Sequence, residues 1–247
     1  MTTLEQYLQL IFSFARNHGQ PFLKWQEQAE LRAFVNRELQ AINEEKKLVY
    51  DENITFDTTA TDSGYYDLMD DDKYVSTLRT ALKGSTVYVQ ILELEVVLVE
   101  GSPLLDADGL PGLVSVAEAN DWVYDYRTVT DAQPQKALQI PPYVLRLIPA
   151  PNAVYDITLC GWIQHFDLTT CLDTEVLWLD SGAVAGTAMK IAGELCMVGA
   201  EGPALEAAMG LSNRGMARLS KAASRAHSVL QGPQVRGRRT QEIYSLD

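Results

Sequence analysis

The spacing of apolar residues changes twice along this 247-residue chain, and that change limits what it can fold into. At the amino end Leu4, Tyr7, Leu8, Ile11, Phe12 and Ala15 recur at three- and four-residue steps, the period of one helix face. Thr2-x-x-Glu5 supplies a capping box at its start, and Asn17 to Pro21 ends it. A second helix is expected from about Lys24 to Lys47, with Leu31, Phe34, Val35, Leu39 and Ile42 along one face. The same period returns late in the chain, where Val184, Thr187, Ala188, Ile191, Leu195 and Val198 form a stripe and Gly186, Ala192 and Gly193 allow a neighbouring helix to come close. Gly199 to Pro203 stops that helix and starts the last one, expected from Pro203 to about Leu230. Its stripe is Leu205, Ala208, Met209, Ser212, Met216, Leu219, Ala223 and Ala226. An amphipathic helix must bury its stripe against a partner, so helices from both ends should share one core.

Between them the period shortens. Val49 to Thr59 and Thr86 to Val99 are rich in β-branched and aromatic residues. In the second run Val87, Val89 and Ile91 alternate with other residues before the phase slips at Leu92, Leu94 and Val96, which reads as a bulge or a strand break. Gly101 to Gly112 reads as a loop, and Ser115-x-x-Glu118 as the cap of a short helix with Val116, Ala119, Val123 and Tyr126 on its face. From Pro141 a hairpin is expected: Tyr143 to Ile148, a turn at Pro149 to Asn152, then Val154 to Ile163 with Tyr155, Ile157 and Leu159 on one side. Nothing after Gly232 has a hydrophobic period. The expected fold is therefore α+β: a helical core of two N-terminal and two C-terminal helices (1–48 and 180–230), a β-rich insertion with a short helix (49–179), and an extended C-terminal tail (231–247).

Composition narrows the function. No apolar run approaches the roughly 18 residues that cross a bilayer, so no membrane partner is expected and the chain should begin in a cytoplasm. A formal charge of −13 argues against gripping phosphates. The average hides an asymmetry, because Ser212 to Thr240 contains Arg214, Arg218, Lys221, Arg225, Arg236, Arg238 and Arg239 and no acid. GxxxxGK[ST], GxGxxG, HExxH and GxSxG are all missing, and His18, His165 and His227 lack a second ligand at helical spacing. No cofactor, metal site or catalytic residue is assigned. Cys160, Cys171 and Cys196 read as buried thiols, although His165 between the first two is the one Cys/His pairing worth naming. Asp106-x-Asp108-Gly109 opens like a calcium loop, but Leu110 takes the next ligand position and no Glu closes it.

Two charged features stand out. Arg214, Arg218, Lys221 and Arg225 recur at four, three and four residues, forming one stripe that is either a solvated face or an interface with an acidic surface of another copy. Asp57, Asp62, Asp67 and Asp70 to Asp72 form either an ordinary acidic loop or, in a ring, a channel wall of Asp67, Asp70, Asp71 and Asp72 that repels DNA phosphates.

The segment Tyr143-Val-Leu-Arg-Leu-Ile-Pro-Ala-Pro-Asn-Ala-Val-Tyr-Asp-Ile-Thr-Leu159, followed by Asp167-Leu-Thr, Asp173-Thr174 and a small-residue helix, resembles the head-to-tail adaptor (head completion, or connector) proteins of tailed bacteriophages. Trp25 opening the second helix and Asn43 near its end are similar to the family's start, while Tyr65 to Val129 has no counterpart in it. The resemblance implies a non-enzymatic virion protein at the head–tail interface. It would be a homo-oligomeric ring, usually of twelve copies, between the portal and the next tail or nozzle protein, through which DNA passes without specific binding. It further implies that the tail from Gln231 to Asp247, with Arg236, Arg238, Arg239 and Tyr244, docks on the portal and orders there, so that rings form on that template. Competing expectations are a tail-completion or tail-tube ring, a carboxylate-dependent cell-wall hydrolase using acids such as Asp70 and Asp106, and a nucleic-acid-binding module using the basic tail.

Overall fold

The computed structural model describes residues 2–16, 28–58, 64–67, 75–76, 91–105, 132–140, 144–198 and 200–244. The expected short helix at Ser115, the Asn17 to Pro21 stop, Trp25 and the Asp70 to Asp72 loop lie outside them. The chain is α+β, with helices at both ends and antiparallel sheets between, and it divides into a helical unit (1–48 and 167–247) and a β unit (49–166). The boundary falls at 166 and not at 179, because residues 167–180 strap the helices. Leu4 and Glu5 donate backbone N–H groups to the carbonyls of Glu175 and Asp173 at 2.8 and 3.0 Å, Leu177 donates to Thr2, and Asn36 Oδ1 accepts from Leu168 at 3.0 Å. Arg32 pairs with Asp173 from the second helix.

The helical unit holds α1 (Leu4–Arg16), α2 (Gln28–Lys46), α3 (Ser181–Met197) and α4 (Pro203–Tyr244). The capping box of α1 is one residue later than expected. Thr3 Oγ1 accepts from the Gln6 N–H while Gln6 Oε1 accepts from the Thr3 N–H, leaving Thr2 free to pair its carbonyl with the strap. Tyr7, fully buried, faces Thr187 of α3, and burial pushes its phenol well above the usual range. At the other end of α2, Asn43 is buried, and its side chain accepts from Leu48 at 3.0 Å as the helix unwinds through Lys47 at φ 50°. This side-chain cap satisfies a backbone donor at the point where the chain leaves the unit.

The α3–α4 pair is the tightest in this unit. A Cβ added to Gly215 would lie 2.4 Å from the Lys190 nitrogen, one on Gly193 2.6 Å from the Ser212 nitrogen, and one on Gly186 2.9 Å from Leu219 Cγ. Backbone meets backbone over three turns, with Ala208, Leu211, Leu219, Ala222 and Ala223 filling the rest of the buried face. The contacts run antiparallel, from Gly193 against Ala208 to Gly182 against Ala222. Of the residues placed in these stripes from the sequence, Leu195, Leu205 and Met216 are half-buried and two are exposed, Val198 at 70% and Met209 at 48%. Val198 has already left the helix at ψ 110°, so the helical period no longer governs it, and Met209 sits beside a buried stripe narrowed by glycine. The extended tail expected at 231–247 is also corrected, since α4 continues through Gly232 and Pro233 to Tyr244. A missing apolar period removes a reason to pack but not the ability to add residues to a helix already nucleated, and Arg and Gln are good helix formers.

The β unit contains β1 (Tyr50–Asp57), β2 (Tyr65–Asp67), β3 (Val75–Ser76), β4 (Ile91–Val99), β5 (Ser102–Pro103), β6 (Lys136–Ile140), β7 (Val144–Ile148) and β8 (Asp156–Ile163). They form a five-stranded sheet of order β3-β1-β8-β4-β5 and a three-stranded sheet of order β2-β7-β6. The hairpin expected around Pro149 to Asn152 is therefore absent, and its two strands lie in different sheets. β7 closes a hairpin with the preceding strand, Ile140 opposite Val144, and takes β2 on its other side, so neither edge is left for β8. β8 is drawn to β1 instead. Thr58, fully buried, donates to the Tyr155 and Ala153 carbonyls and accepts from the Tyr155 N–H at 2.9 Å, which pins the start of β8 beside the end of β1.

The phase slip read in the β4 sequence is a bulged register, with shifts between Ile91 and Glu93 and between Leu94 and Val96. Its buried residues are Ile91, Leu94, Val97 and Val99, while Leu92 and Val96 are only half-buried. β1 shifts register as well, between Asp51 and Ile54, and both irregularities adjoin Gly161 of β8. A Cβ there would stand 2.3 Å from the Glu93 carbonyl. Trp162 follows, fully buried, its Nε1 donating to Glu95 at 2.7 Å and its ring edge-on to Tyr50. Leu94 N–H donates to Gln139 Oε1 at 2.9 Å, tying β4 to β6 within the unit.

Gly215→Ala should cost about 1–3 kcal/mol in chemical denaturation, since the neighbouring backbone has no room to yield. Gly210→Ala, on the same helix with nothing within 4 Å of the added carbon, should raise stability by about 0.5–1 kcal/mol.

Candidate functional site

The surface with the strongest departure from the chain's average is the outer face of α4. Glu201 and Glu206 stand exposed at its start, Glu206 in the first turn, and the charge then inverts. Arg214, Arg218, Lys221 and Arg225 are all exposed, as the sequence stripe implied, and Arg214 folds its Nε back onto the Gly210 carbonyl at 3.1 Å. At 100° per residue the stripe lies about 110° around the helix from the buried face centred on Gly215 and Leu219. Acid at the helix start and base further along follow the sign of the backbone dipole, which favours this order.

The antiparallel register sets how far this surface runs. Because Gly182, near the start of α3, is opposite Ala222, the residues of α4 after Ala223 lie past the first turn of its partner. About 20 residues, roughly 30 Å of helix at 1.5 Å per residue, continue from there to Tyr244. Arg236, Arg238, Arg239 and Tyr244 lie on that continuation. The sequence had separated stripe and tail into two elements. They share one helix.

Asp67 is in β2, opposite Val144, while Asp70, Asp71 and Asp72 are outside the described residues. Among the described residues no group of His, Cys, Asp and Glu is arranged to hold a metal ion, and no helix is long and apolar enough to cross a membrane. His165 is buried, with Nδ1 3.0 Å from the Phe166 carbonyl and its ring stacked at a tilt on Phe166. All three cysteines are free thiols; Cys160 and Cys196 are buried, whereas Cys171 is half-buried, a correction to its expected burial because it sits on the strap above the helices. Burial pushes the Cys171 thiol up, Glu175 and Asp167 add to the rise, and Arg32 offsets part of it. Burial also pushes up Cys196. An activated nucleophile needs the opposite shift.

The sequence missed the exposure of Val198, at the α3–α4 turn, and of Met209, within α4. Its signal was the Gly199 to Pro203 break, which frees Val198 from the helical period. No protein-family model matches the chain, and a search of curated proteins finds no match.

Cys171 and Cys196 should react with iodoacetamide more slowly in the native protein than in denaturant at neutral pH. The raised thiol leaves less thiolate, so the native rate should climb as pH rises, read by mass of the alkylated peptides.

Proposed function

We propose that this chain is a non-enzymatic assembly subunit, a ring-forming adaptor of the tailed-phage head-to-tail joint that binds the portal on one side and the next tail or nozzle protein on the other. The observation that carries the reading is α4: a 42-residue helix that continues past the Gly182–Ala222 approach to its packing partner and carries, from Ser212 to Thr240, a basic run without an acid on an otherwise acidic chain. A basic helix that continues past the start of its packing partner suits an acidic surface on another molecule. The part from Gln231 to Tyr244, with Arg236, Arg238, Arg239 and Tyr244, docks on the portal, and the stripe from Arg214 to Arg225 meets acidic surface within the assembly. The acidic remainder, including Asp67 and Asp70 to Asp72, gives DNA a wall that repels phosphate and lets it slide. The virion is its destination. Assembly on the portal follows from templating, because docked copies meet at far higher effective concentration than free ones.

The test is to mix purified protein with preassembled portal rings and follow complex formation by size-exclusion chromatography and electron microscopy. The full chain should add as a ring to one end of the portal. A chain lacking Gln231 to Asp247 should lose only the helical signal of the removed residues and keep its melting temperature, since the close α3–α4 approaches at Gly186, Gly193 and Gly215 lie outside the deletion, yet lose portal binding. Full binding by the truncated chain would overturn the docking role.

A further inference from the structure

The α3–α4 turn and the start of α4 expose two large apolar side chains, Val198 and Met209, and two carboxylates, Glu201 and Glu206. Exposed apolar side chains among charged ones are the composition of a protein interface, and acids of one sign call for a basic counterpart. The described helical unit has one such counterpart in quantity. Arg214, Arg218, Lys221 and Arg225 stand on the same helix, starting eight residues, about 12 Å, beyond Glu206. Their aliphatic stems, with exposed Ala217 on the flank, offer apolar cover for Val198 and Met209 while the charged ends reach the carboxylates.

We infer that copies of this chain associate head to tail through the two oppositely charged parts of α4. The turn of one copy, with Val198, Glu201, Glu206 and Met209, seats on the Arg214, Arg218, Lys221 and Arg225 stripe of the next. The inference rests on the adaptor reading for its place in the virion, and it names the contact between neighbours that the reading requires. Turn against turn sets four carboxylates together and stripe against stripe sets eight cations together, so contacts between like patches are opposed. Turn against stripe uses two different patches of each copy; made once between successive copies it generates rings and filaments, and made twice within a reciprocal two-fold pair it stops at a dimer. Exposed charges interact weakly in water, so the free protein associates only at high concentration and low salt.

Sedimentation velocity across a concentration series at low ionic strength tests this. The wild type should associate past a dimer, and added salt should dissociate it; association that stops at a dimer would overturn the head-to-tail arrangement. Glu201→Lys with Glu206→Lys, and separately Arg214→Glu with Arg218→Glu, should each raise the concentration for half-association about tenfold or more, equivalent to about 1.4 kcal/mol. Circular dichroism confirms that both fold. Mixing the two variants should restore association, since the reversed turn of one fits the reversed stripe of the other. A wild type that remains monomeric, a single variant that associates like the wild type, or a mixture that fails to recover would each overturn the inference. Portal capture by the wild type is scored separately. Capture with a failed swap removes this interface and keeps the adaptor, and a successful swap without capture does the reverse.

Discussion

The near-contact of the α3 and α4 backbones fixes the helical unit. With Gly186, Gly193 and Gly215 facing the partner, the two axes come closer than larger side chains at these positions would permit. Register follows from this. Had the helices met through leucines, a one-turn slip would exchange similar knobs; here it would drive a Cβ into backbone. That lock decides which turn of α4 passes the start of α3, and hence how much helix is left over and which cations face water.

In the β unit Gly161 has the same role by a different route. Its missing side chain lets the Glu93 carbonyl approach, and the strands on both sides of β8 break register around it. A bulge increases local twist, and here it shifts the inward positions of β4 from a step of two to a step of three. Trp162 is thereby turned into the interior while its indole nitrogen still reaches Glu95.

Helices and their inward residues were largely legible in the sequence, because a 3.6-residue period is a local property and α1, α2 and α3 obey it from end to end. So was the irregularity in β4, visible as a slip of phase. Strand partners were not legible. The segment around Pro149 and Pro151 reads as a hairpin locally, and only the prior claims of β6 and β2 on β7 exclude it. The strap at 167–180 likewise has no period, and its attachment depends on backbone groups of α1 that any sequence would carry. At the candidate site the individual cations were evident from spacing. Their union on one helix was not, because Gly232 and Pro233 punctuate the sequence without ending the helix. The exposed Val198 and Met209 were hidden for the converse reason: hydrophobic residues at near-helical spacing look buried until the helix end is known.

The β unit enters and leaves the chain at a single place. Tyr50 is opposite Trp162, and Ile163 N–H donates to the Val49 carbonyl at 2.9 Å, so the first and last strands of the insertion are hydrogen-bonded neighbours. To the helical unit, a long excursion of chain therefore behaves as a short bridge between Leu48 and Asp167. The entropy of closing that bridge is borne by the β unit's own folding and does not grow with the length of the excursion. Evolution can lengthen, trim or replace everything between these two neighbouring strands, Tyr65 to Val129 included, while the helices that carry the charged face keep their geometry.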